Sequence, residues 1–374
     1  MCSDTRKGQF RPLSICRAAR RCGVPALGAS CCVWRVRCVG RVTEVSQSSI
    51  QAVDLFAGLG GSTCGAKAAG VQVVAAVDTW GLACKTYADN HPSVQVYEDD
   101  CERLDPALIA AEHGQIGLLL ASPECTSHTC AKGAAQRSER SRTTAFQVVR
   151  FAEVLRPRWI VVENVIHMRA WSRYRGFLAA IEALGYQCEP QVLNSADFGV
   201  PQSRRRLFIV CEHGRKPPNI LPPLAVKPVP VRDIIDRNGT YAYTPLRSNG
   251  RAIATIERAE RAIASVGSRM PFLLVYYGTD GSGGWQPVTM PLRTITTLDR
   301  FAYVRRRNGV HEMRMLQVPE LQIAMGFPPE YIINRGTRRD RIKLLGNAVC
   351  PPVMEQIVRT LKGTYRHGDC ATRR

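Results

Sequence analysis

From residue 51 onward, short apolar runs of strand length alternate with helical periodicity, and this alternation constrains the fold more than any other feature. It predicts strands at residues 51–56, 71–77, 118–121, 159–162 and 206–210. It predicts helices at residues 62–69, 83–90, 144–155 and 177–184. Strands that alternate with helices indicate an α/β fold with a doubly wound, mostly parallel, Rossmann-like sheet.

Composition divides the chain into four segments. Residues 1–48 carry nine Arg or Lys against two acidic residues and lack periodicity, so we expect a basic, Cys- and Arg-rich, disordered extension, although transit peptides share this composition. Residues 49–214 are expected to form the main domain. Six prolines at 215–230 indicate a crossing into a second, smaller domain over 215–310. Residues 311–374 are expected to form a hinge and a return to the first domain.

Three shorter elements are expected beyond the prolines. They are a helix at residues 252–264 and strands at residues 272–277 and 294–297. An amphipathic segment is expected at residues 353–361, in the returning part of the chain.

The net charge of +20, from 51 basic and 31 acidic residues, indicates a polyanionic partner such as nucleic acid. No apolar run has the roughly 18 residues needed to span a bilayer, so no membrane role is expected. A chain of 374 residues needs no disulfides for stability, so its fifteen cysteines are interpreted as reduced thiols of a cytoplasmic protein.

A glycine-rich string, DLFAGLGG at residues 54–61, follows the first strand and opens the first helix. Its glycines let backbone N–H groups approach a ligand at a helix N-terminus. Asp78, at the end of the second strand, is placed to accept hydrogen bonds from ribose hydroxyls, and Asp100 is a candidate for an adenine amino group. The alternative is a tight turn with two solvated acids.

A thiol and a carboxyl follow two of the predicted strands. Cys125 comes after the apolar run 116–120, and Glu163 closes the run 159–162. At the ligand-bearing edge of a parallel sheet, this pair suits a nucleophile and an acid. The alternatives are a structural cysteine and a helix-capping acid. Cys125, His128 and Cys130 lack a fourth ligand at a plausible spacing, so no metal site is expected.

Basic residues surround both predicted strand ends. In the string QSRRR at residues 202–206, alternation along a strand predicts that Arg204 and Arg206 face the same side. Their guanidinium groups suit phosphates and base edges, although a solvated charge run is the alternative. The loop after Cys125 adds further positive charge, including Lys132 and Arg137.

Taken in order, these segments resemble the motifs of the DNA (cytosine-5) methyltransferases, from residue 51 to about residue 361. The matching segments are residues 54–61, Cys125, Glu163-Asn164-Val165, Gln202-x-Arg204-x-Arg206, Leu292-Arg293-Thr294-Ile295 and Gly346-Asn347-Ala348-Val349. The resemblance implies a methyltransferase sheet in residues 49–214, which would hold catalysis and the cofactor, and a target-recognition domain in residues 215–310.

The resemblance further implies transfer of a methyl group from S-adenosylmethionine to C5 of cytosine in duplex DNA, without a metal. The base would be flipped, Cys125 would bond to C6, Glu163 would protonate N3, and Arg204 and Arg206 would hold the nucleotide. The cofactor residues implied are Phe56, Ala57, Gly58, Leu59, Gly61, Asp78, Asp100, Asn347 and Ala348. The DNA-binding residues implied are Lys132, Arg137, Gln202, Arg204 and Arg293.

The partners implied are double-stranded DNA and a cognate restriction endonuclease encoded nearby. The protein is expected to be a monomer in the cytoplasm of a bacterium or of a phage's host cell, associated with the nucleoid. Two alternatives stay open: the same reaction on RNA, because a relative of the family modifies tRNA, and a catalytically silent nucleic-acid-binding relative.

Two departures from the family pattern carry their own expectations. Glu124 stands before the nucleophile where the family has proline, and Thr126 replaces the usual glutamine. A carboxylate beside a thiol opposes thiolate formation, so Glu124 is expected to face the cofactor side or a basic partner. The recognition region, residues 215–290, is short, so a short target site is expected.

Overall fold

A seven-stranded sheet forms the centre of the protein. The computed structural model describes residues 49–123, 144–224, 226–277 and 283–371, with side chains as far as Gly363. The strands of this sheet are β1 (Gln51–Leu55), β2 (Gln72–Asp78), β3 (Gln95–Glu98), β4 (Leu118–Ala121), β5 (Trp159–Asn164), β6 (Tyr186–Asn194) and β8 (Arg205–His213). Their order across the sheet is β3-β2-β1-β4-β5-β8-β6.

The sheet is parallel from β3 to β5, and β8 runs antiparallel to both β5 and β6. From β1 the chain moves outward through β2 and β3 and then returns to form β4 on the other side of β1. The connections after β1 and β4 therefore leave in opposite directions, which opens a crevice at the carboxyl ends of these strands. The predicted doubly wound, mostly parallel sheet is confirmed.

Helices cover both faces of the sheet. They are α1 (Gly61–Ala68), α2 (Gly81–Asn90), α3 (Pro106–His113), α4 (Phe146–Leu155) and α5 (Tyr174–Ala183). Alternate residues of a strand serve opposite faces. Leu118 and Leu120 of β4 pack in the core that includes α1, whereas Leu119 packs with α4 and α5. Burial on both sides explains why these strands are continuously apolar.

All the elements predicted before residue 214 are present, with ends shifted by at most three residues. The sequence predicted a strand end near Asp100 but no bounds for β3, and it missed α3, β6 and the two-residue strand β7 (Gln202–Ser203). The edge strand β6 contains Pro190 and several half-buried polar residues, so it lacks a continuous apolar run. A proline is tolerated there because an edge strand does not need every N–H donor for pairing. The strand β3 is also an edge, with only four residues and no fully buried side chain.

A second, antiparallel sheet follows the proline-rich stretch. It contains β9 (Thr244–Pro245), β10 (Phe272–Val275), β11 (Trp285–Pro287), β13 (Phe301–Arg307) and β14 (Val310–Met315), in the order β11-β10-β13-β14-β9. Phe272 and Leu274 pack against α6 (Ile253–Val266), while Leu273 and Val275 join the core on the α1 side of the central sheet. The second sheet therefore lies between a helix and the main body.

Two details of this region differ from the sequence prediction. The prediction of a strand at residues 294–297 is wrong. A short strand, β12 (Leu292–Arg293), pairs with β7 (Gln202–Ser203) and ends before residue 294. Thr296 Oγ1 accepts the N–H of Leu298 at 3.4 Å, a local turn that competes with strand pairing. The β13–β14 hairpin also crosses the expected boundary between residues 310 and 311. The expected division into two domains stays a prediction.

The chain returns to the central sheet through α7 (Val318–Ala324), α8 (Arg338–Asn347) and α9 (Pro351–Ala371). The amphipathic segment predicted at 353–361 lies within α9. A Cβ on Gly65 of α1 would lie 2.4 Å from the carbonyl oxygen of Pro351, so glycine permits this close contact between α1 and α9. Within the described ranges, no helix is both long and apolar enough to cross a membrane.

Candidate active site

The glycine-rich turn leaves β1 with an unusual backbone. Phe56, Gly58 and Gly60 have φ angles of 56°, 55° and 93°, in the left-handed region. Glycine adopts this region freely, whereas Phe56 does so at a cost of about 1–3 kcal/mol. Gly60 N–H donates to Ala57 O at 2.9 Å, which tightens the turn before α1 begins at Gly61.

Asp78 fixes this turn from the end of the neighbouring strand. One carboxylate oxygen accepts the N–H of Gly58 at 2.8 Å, and the other accepts the N–H of Trp80 at 2.8 Å. Burial raises the pKa of Asp78 above its usual value, against these backbone hydrogen bonds. The backbone of Thr79 also hydrogen-bonds this carboxylate, and a carboxylate has about four lone-pair sites, so some capacity remains for a hydroxyl donor of a ligand.

Asp100 lies at the same edge of the sheet, just after β3. Its carboxylate accepts the N–H of Glu102 at 2.9 Å, and the backbone of Phe56 hydrogen-bonds the thiol of the adjacent Cys101. The structure therefore places Phe56, Asp78 and Asp100 at one edge of the sheet, and their role in cofactor binding stays a prediction.

The segment Gly346-Asn347-Ala348-Val349 lies against the glycine turn. A Cβ on Gly61 would lie 2.1 Å from the carbonyl oxygen of Val349, and a Cβ on Gly346 would lie 2.4 Å from the Thr296 backbone. Only glycine permits these two approaches. Asn347 is exposed and Ala348 is buried, so the segment offers one polar side chain to a ligand near the turn.

Two groups of buried side chains pack against the glycine-rich turn, one around Thr63 and one around Tyr331. The sequence motifs did not indicate Thr63, Tyr87, His91 or Tyr331 as part of the site. Thr63 Oγ1 lies 2.8 Å from Asp54 Oδ2 and 2.6 Å from Tyr87 Oη. Burial raises the pKa of Asp54 to about 7. Tyr331 Oη donates to the carbonyl of Leu59 at 2.5 Å.

The second group is completed by His91, whose Nε2 lies 3.0 Å from Tyr331 Oη. Burial lowers the pKa of His91 to about 4, so the imidazole is neutral at pH 7. These partners are 240 or more residues apart in sequence, so no local pattern indicates them.

The chain that leads to Cys125 leaves β4 beside this turn. Ser122 Oγ donates to the carbonyl of Phe56 at 2.9 Å, and Asn164 Nδ2 donates to the carbonyl of Pro123 at 3.1 Å. The loop thus starts between the glycine-rich turn and the end of β5. The remaining predicted residues of this loop lie outside the described residues: Glu124, Cys125, Thr126, His128, Cys130, Lys132 and Arg137.

Glu163 is the penultimate residue of β5, and the residue is only 7% exposed, so its carboxyl lies almost out of solvent. The Nε of Arg206 lies 3.2 Å from one of its oxygens. Burial raises the pKa of Glu163, while the positive charges of Arg206 and Arg204 lower it. A carboxyl with a raised pKa beside a cation can hold or release a proton, as the expected acid role requires.

Arg204 and Gln202 lie differently from the expectation. Arg204 is 4% exposed, and its guanidinium donates to the carbonyls of Ile295, Gly346 and Ala348 at 2.9, 2.8 and 3.2 Å. The predicted DNA contact of Arg204 is corrected, because these bonds point the side chain into the protein. Its charge still acts on Glu163, as expected for residues facing one side.

Gln202 is fully buried. Its amide nitrogen donates to Ala324 O at 3.1 Å, and its oxygen accepts the N–H of Ile295 at 2.8 Å. The predicted DNA contact of Gln202 is therefore corrected too. Arg293 is half-buried in β12, where it pairs with Ser203 of β7. Burial raises the pKa of the Tyr277 hydroxyl, and the positive charge of Arg293 lowers it.

In the described part of the site, the glycine-rich turn of residues 54–61 and the buried pair of Glu163 and Arg206, called here the acid–arginine pair, therefore lie at the same edge of the sheet. Within the described ranges, no group of three or more His, Cys, Asp or Glu side chains is arranged to hold a metal ion. A sequence model of the family described as C-5 cytosine-specific DNA methylase matches residues 50–363.

The chain belongs to this family. Within the C-5 cytosine-specific DNA methylases, it is 26% identical over 312 residues to the type II methyltransferase M.HindV of Haemophilus influenzae, covering 80% of this chain and 92% of that protein. It is 31% identical over 173 residues to M.DdeI of Desulfomicrobium norvegicum, where the match spans 45% of this chain and 41% of the relative.

Among solved structures, the methylase fold resembles a DNMT2 mutant from Spodoptera frugiperda, with a TM-score of 0.64 and 17% identity. The match covers 84% of this chain and all of that chain. At this identity the likeness concerns the fold alone. It agrees with the α/β fold and the mostly parallel central sheet of this methylase.

Proposed function

We propose that this methylase transfers a methyl group from S-adenosylmethionine to C5 of cytosine in duplex DNA. The observation that carries the proposal is the pairing of Glu163 with Arg206 at 3.2 Å, beside the anchored start of the Cys125 loop. The family match supports the reaction class.

The residues at the glycine turn fit S-adenosylmethionine. Asp78 would accept the ribose hydroxyls through its remaining lone-pair capacity, and the Phe56 ring would stack on the adenine. Asp100 would accept the adenine amino group, and Asn347 and Ala348 would close the pocket. When bound, the cofactor supplies an electrophilic methyl group.

The residues of this chain would activate the cytosine. The base must first leave the stack, because its C6 atom is inaccessible inside a duplex. The thiolate of Cys125 adds to C6 while the Glu163 carboxyl gives a proton to N3, which makes C5 nucleophilic. After methylation, a water molecule acting as base takes the C5 proton, the carbon–sulfur bond breaks with Cys125 leaving as the thiolate, and the proton on N3 returns to Glu163.

Arg206 would have two roles in this scheme. Its Nε lies against Glu163 and stabilises the carboxylate left after proton transfer, and its remaining N–H groups are donors for the flipped nucleotide. Arg204 would act as a positioning residue, since it holds the backbone of Ile295, Gly346 and Ala348 beside the same carboxyl.

Duplex DNA is the proposed partner because the chain carries a charge of +20 and belongs to a DNA methylase family. The type II methyltransferase names of the relatives support a restriction–modification setting, with a cognate endonuclease as a second partner. We further propose that the protein acts as a monomer on a short target sequence.

A covalent trapping experiment tests the reaction. Duplex DNA containing 5-fluorocytosine at candidate sites is incubated with the protein and S-adenosylmethionine. An adduct stable to denaturation is expected for the wild type and for Cys64→Ala, a half-buried thiol on α1. None is expected for Cys125→Ala. An adduct that persists in Cys125→Ala would contradict the mechanism.

A methylation assay on matched substrates tests the substrate class. Methyl transfer to duplex DNA is compared with transfer to an RNA transcript of the same sequence, and the products are mapped by bisulfite sequencing. Preferential transfer to the RNA would replace DNA by RNA as the substrate. Binding of both nucleic acids without transfer would indicate a silent relative.

A further inference from the structure

A cleft of about 480 Å³ opens between residues 298–300, which precede β13, and the first turns of α8. Its lining includes neither the glycine-rich turn nor the pair of Glu163 and Arg206. Its lining, called here the basic cleft, consists of Leu298, Asp299, Arg300, Arg338, Arg339 and Ile342. Three of these six side chains are arginines.

The charges of the basic cleft are only partly compensated. Arg338 bonds to Asp299 at 2.8 Å and to Gln317 at 2.9 Å, so this arginine ties the two walls together. Arg300 donates to the carbonyl of Tyr276 at 3.0 Å. Neither Arg300 nor Arg339 forms an ion pair with a carboxylate among the described residues.

Lys343 extends this positive surface along α8. It lies one helical turn after Arg339, and its ammonium sits 4.4 Å from the ring centre of Trp80. Arg339 and Lys343 are both exposed and share one face of the helix. No ion pair joins Lys343 to a carboxylate in the described part of the chain, so the surface retains a net positive charge.

The basic cleft begins close to the candidate active site. Gly346, at the end of α8, touches the backbone of Thr296, and Arg204 binds the carbonyls of both Gly346 and Ile295. Leu298 follows Ile295 by three residues, so their Cα atoms are at most about 11 Å apart. Arg339 is seven residues before Gly346, about 10 Å along the helix axis.

We propose that the basic cleft and Lys343 bind backbone phosphates of the target DNA strand beside the flipped cytosine. This proposal rests on the proposed function. Guanidinium groups match phosphate oxygens in geometry and keep their charge at every physiological pH. Arg339 and Lys343 are about 6 Å apart along the helix, comparable with the rise over two phosphates of one strand, at about 3.4 Å each.

The salt dependence of DNA binding tests this proposal directly. Each phosphate contact contributes about 0.9 to the slope of log K against log salt, so each lost contact also weakens binding about eightfold at 0.1 M salt. Arg300→Gln and Arg339→Gln are each expected to reduce the slope by about 0.9. The double variant should lose about 1.8, and Lys343→Gln should behave like a further single substitution.

The matched control is Arg175→Gln, which removes the same charge from an exposed position on α5, against the opposite face of the sheet. This control should keep the wild-type slope. Binding of S-adenosylmethionine and the melting temperature, measured for Arg300→Gln and Arg339→Gln, should match the wild type, which shows that the fold is intact.

The two proposals can fail separately. Wild-type slopes in Arg300→Gln and Arg339→Gln would overturn the phosphate-binding role while leaving DNA methylation intact. A slope lost equally in Arg175→Gln would also overturn it, because the effect would then reflect total charge. A wild type that neither binds nor methylates duplex DNA would overturn the proposed function and this role with it.

Discussion

The side-chain amide of Asn164 donates a 3.1 Å hydrogen bond to the carbonyl of Pro123, two residues before Cys125. Asn164 Oδ1 also accepts the N–H of Val165 at 2.8 Å, which fixes the orientation of the amide. Since Asn164 directly follows Glu163, the end of β5 holds both the proposed acid and the start of the loop that carries the proposed nucleophile.

Replacing Asn164 by Ala is expected to impair catalysis more than folding. Loss of a partner for a buried carbonyl costs about 1–3 kcal/mol, so methyl transfer should fall roughly 5- to 150-fold while cofactor binding persists. Single-turnover rates and calorimetric binding measure the two effects. Asn90→Ala is the control, because Asn90 bonds to the carbonyls of Thr86 and Ile332 and not to the carbonyl of Pro123. An equal rate loss in both variants would argue against a local role.

The pH dependence of the reaction should report the pairing of Glu163 with Arg206. If a protonated Glu163 gives its proton to N3, the rate falls as pH rises through the pKa of Glu163. Arg206 lowers this pKa, so Arg206→Gln should move the descending limb to higher pH while reducing the maximal rate. Glu163→Gln should abolish that limb. Single-turnover rates between pH 5 and 9 provide the measurement, and an unmoved limb in Arg206→Gln would assign it to another group.

Arg204→Lys is expected to weaken cofactor binding although Arg204 does not line the glycine turn. An ammonium group cannot reproduce the planar fork that spans the carbonyls of Ile295, Gly346 and Ala348. The segment that packs on Gly61 should then loosen, with a loss of about 1–3 kcal/mol in unfolding free energy. Arg205→Lys, at the exposed neighbouring position, should leave cofactor affinity and stability unchanged. Equal effects would indicate a general loss of charge.

Asp54 should make stability depend on pH. Its pKa rises from 3.8 to about 7 on burial, so the native state retains a proton that the unfolded state releases. The stabilising contribution is complete below pH 4 and is lost as pH rises to about 7, by at most about 4 kcal/mol. His91 gives the opposite slope in part of this range, because its pKa is lowered. Denaturant titrations of Asp54→Asn and wild type at pH 5 and 8 isolate Asp54, since the difference between the proteins should change with pH.

The sequence predicts the inner strands of the main sheet well because each of them is buried on both faces and therefore forms a continuous apolar run, as in residues 118–121. Edge strands lack this signal, and β6 was missed for that reason. The strand expected at residues 294–297 does not form, because the Thr296 hydroxyl accepts the backbone N–H of Leu298 in a local turn.

Local motifs identify the residues at the sheet edge but not which way each one points. Gln202 and Arg204 resemble DNA-contacting side chains in sequence, yet both satisfy backbone groups from segments about 90 to 140 residues away. Such long-range pairing has no local signature. The same limit applies to Tyr331 and His91, which support the glycine turn through a contact that spans 240 residues.

The approach of Gly61 to the Val349 carbonyl has a consequence for synthesis on the ribosome. The wall of the proposed cofactor pocket is completed by a segment almost 290 residues after the glycine turn. At about 5–20 residues per second, the nascent chain waits roughly 15–60 s between these two events. A nascent chain that has not reached residue 350 therefore exposes an unfinished pocket, and the protein becomes competent to bind its cofactor only late in translation.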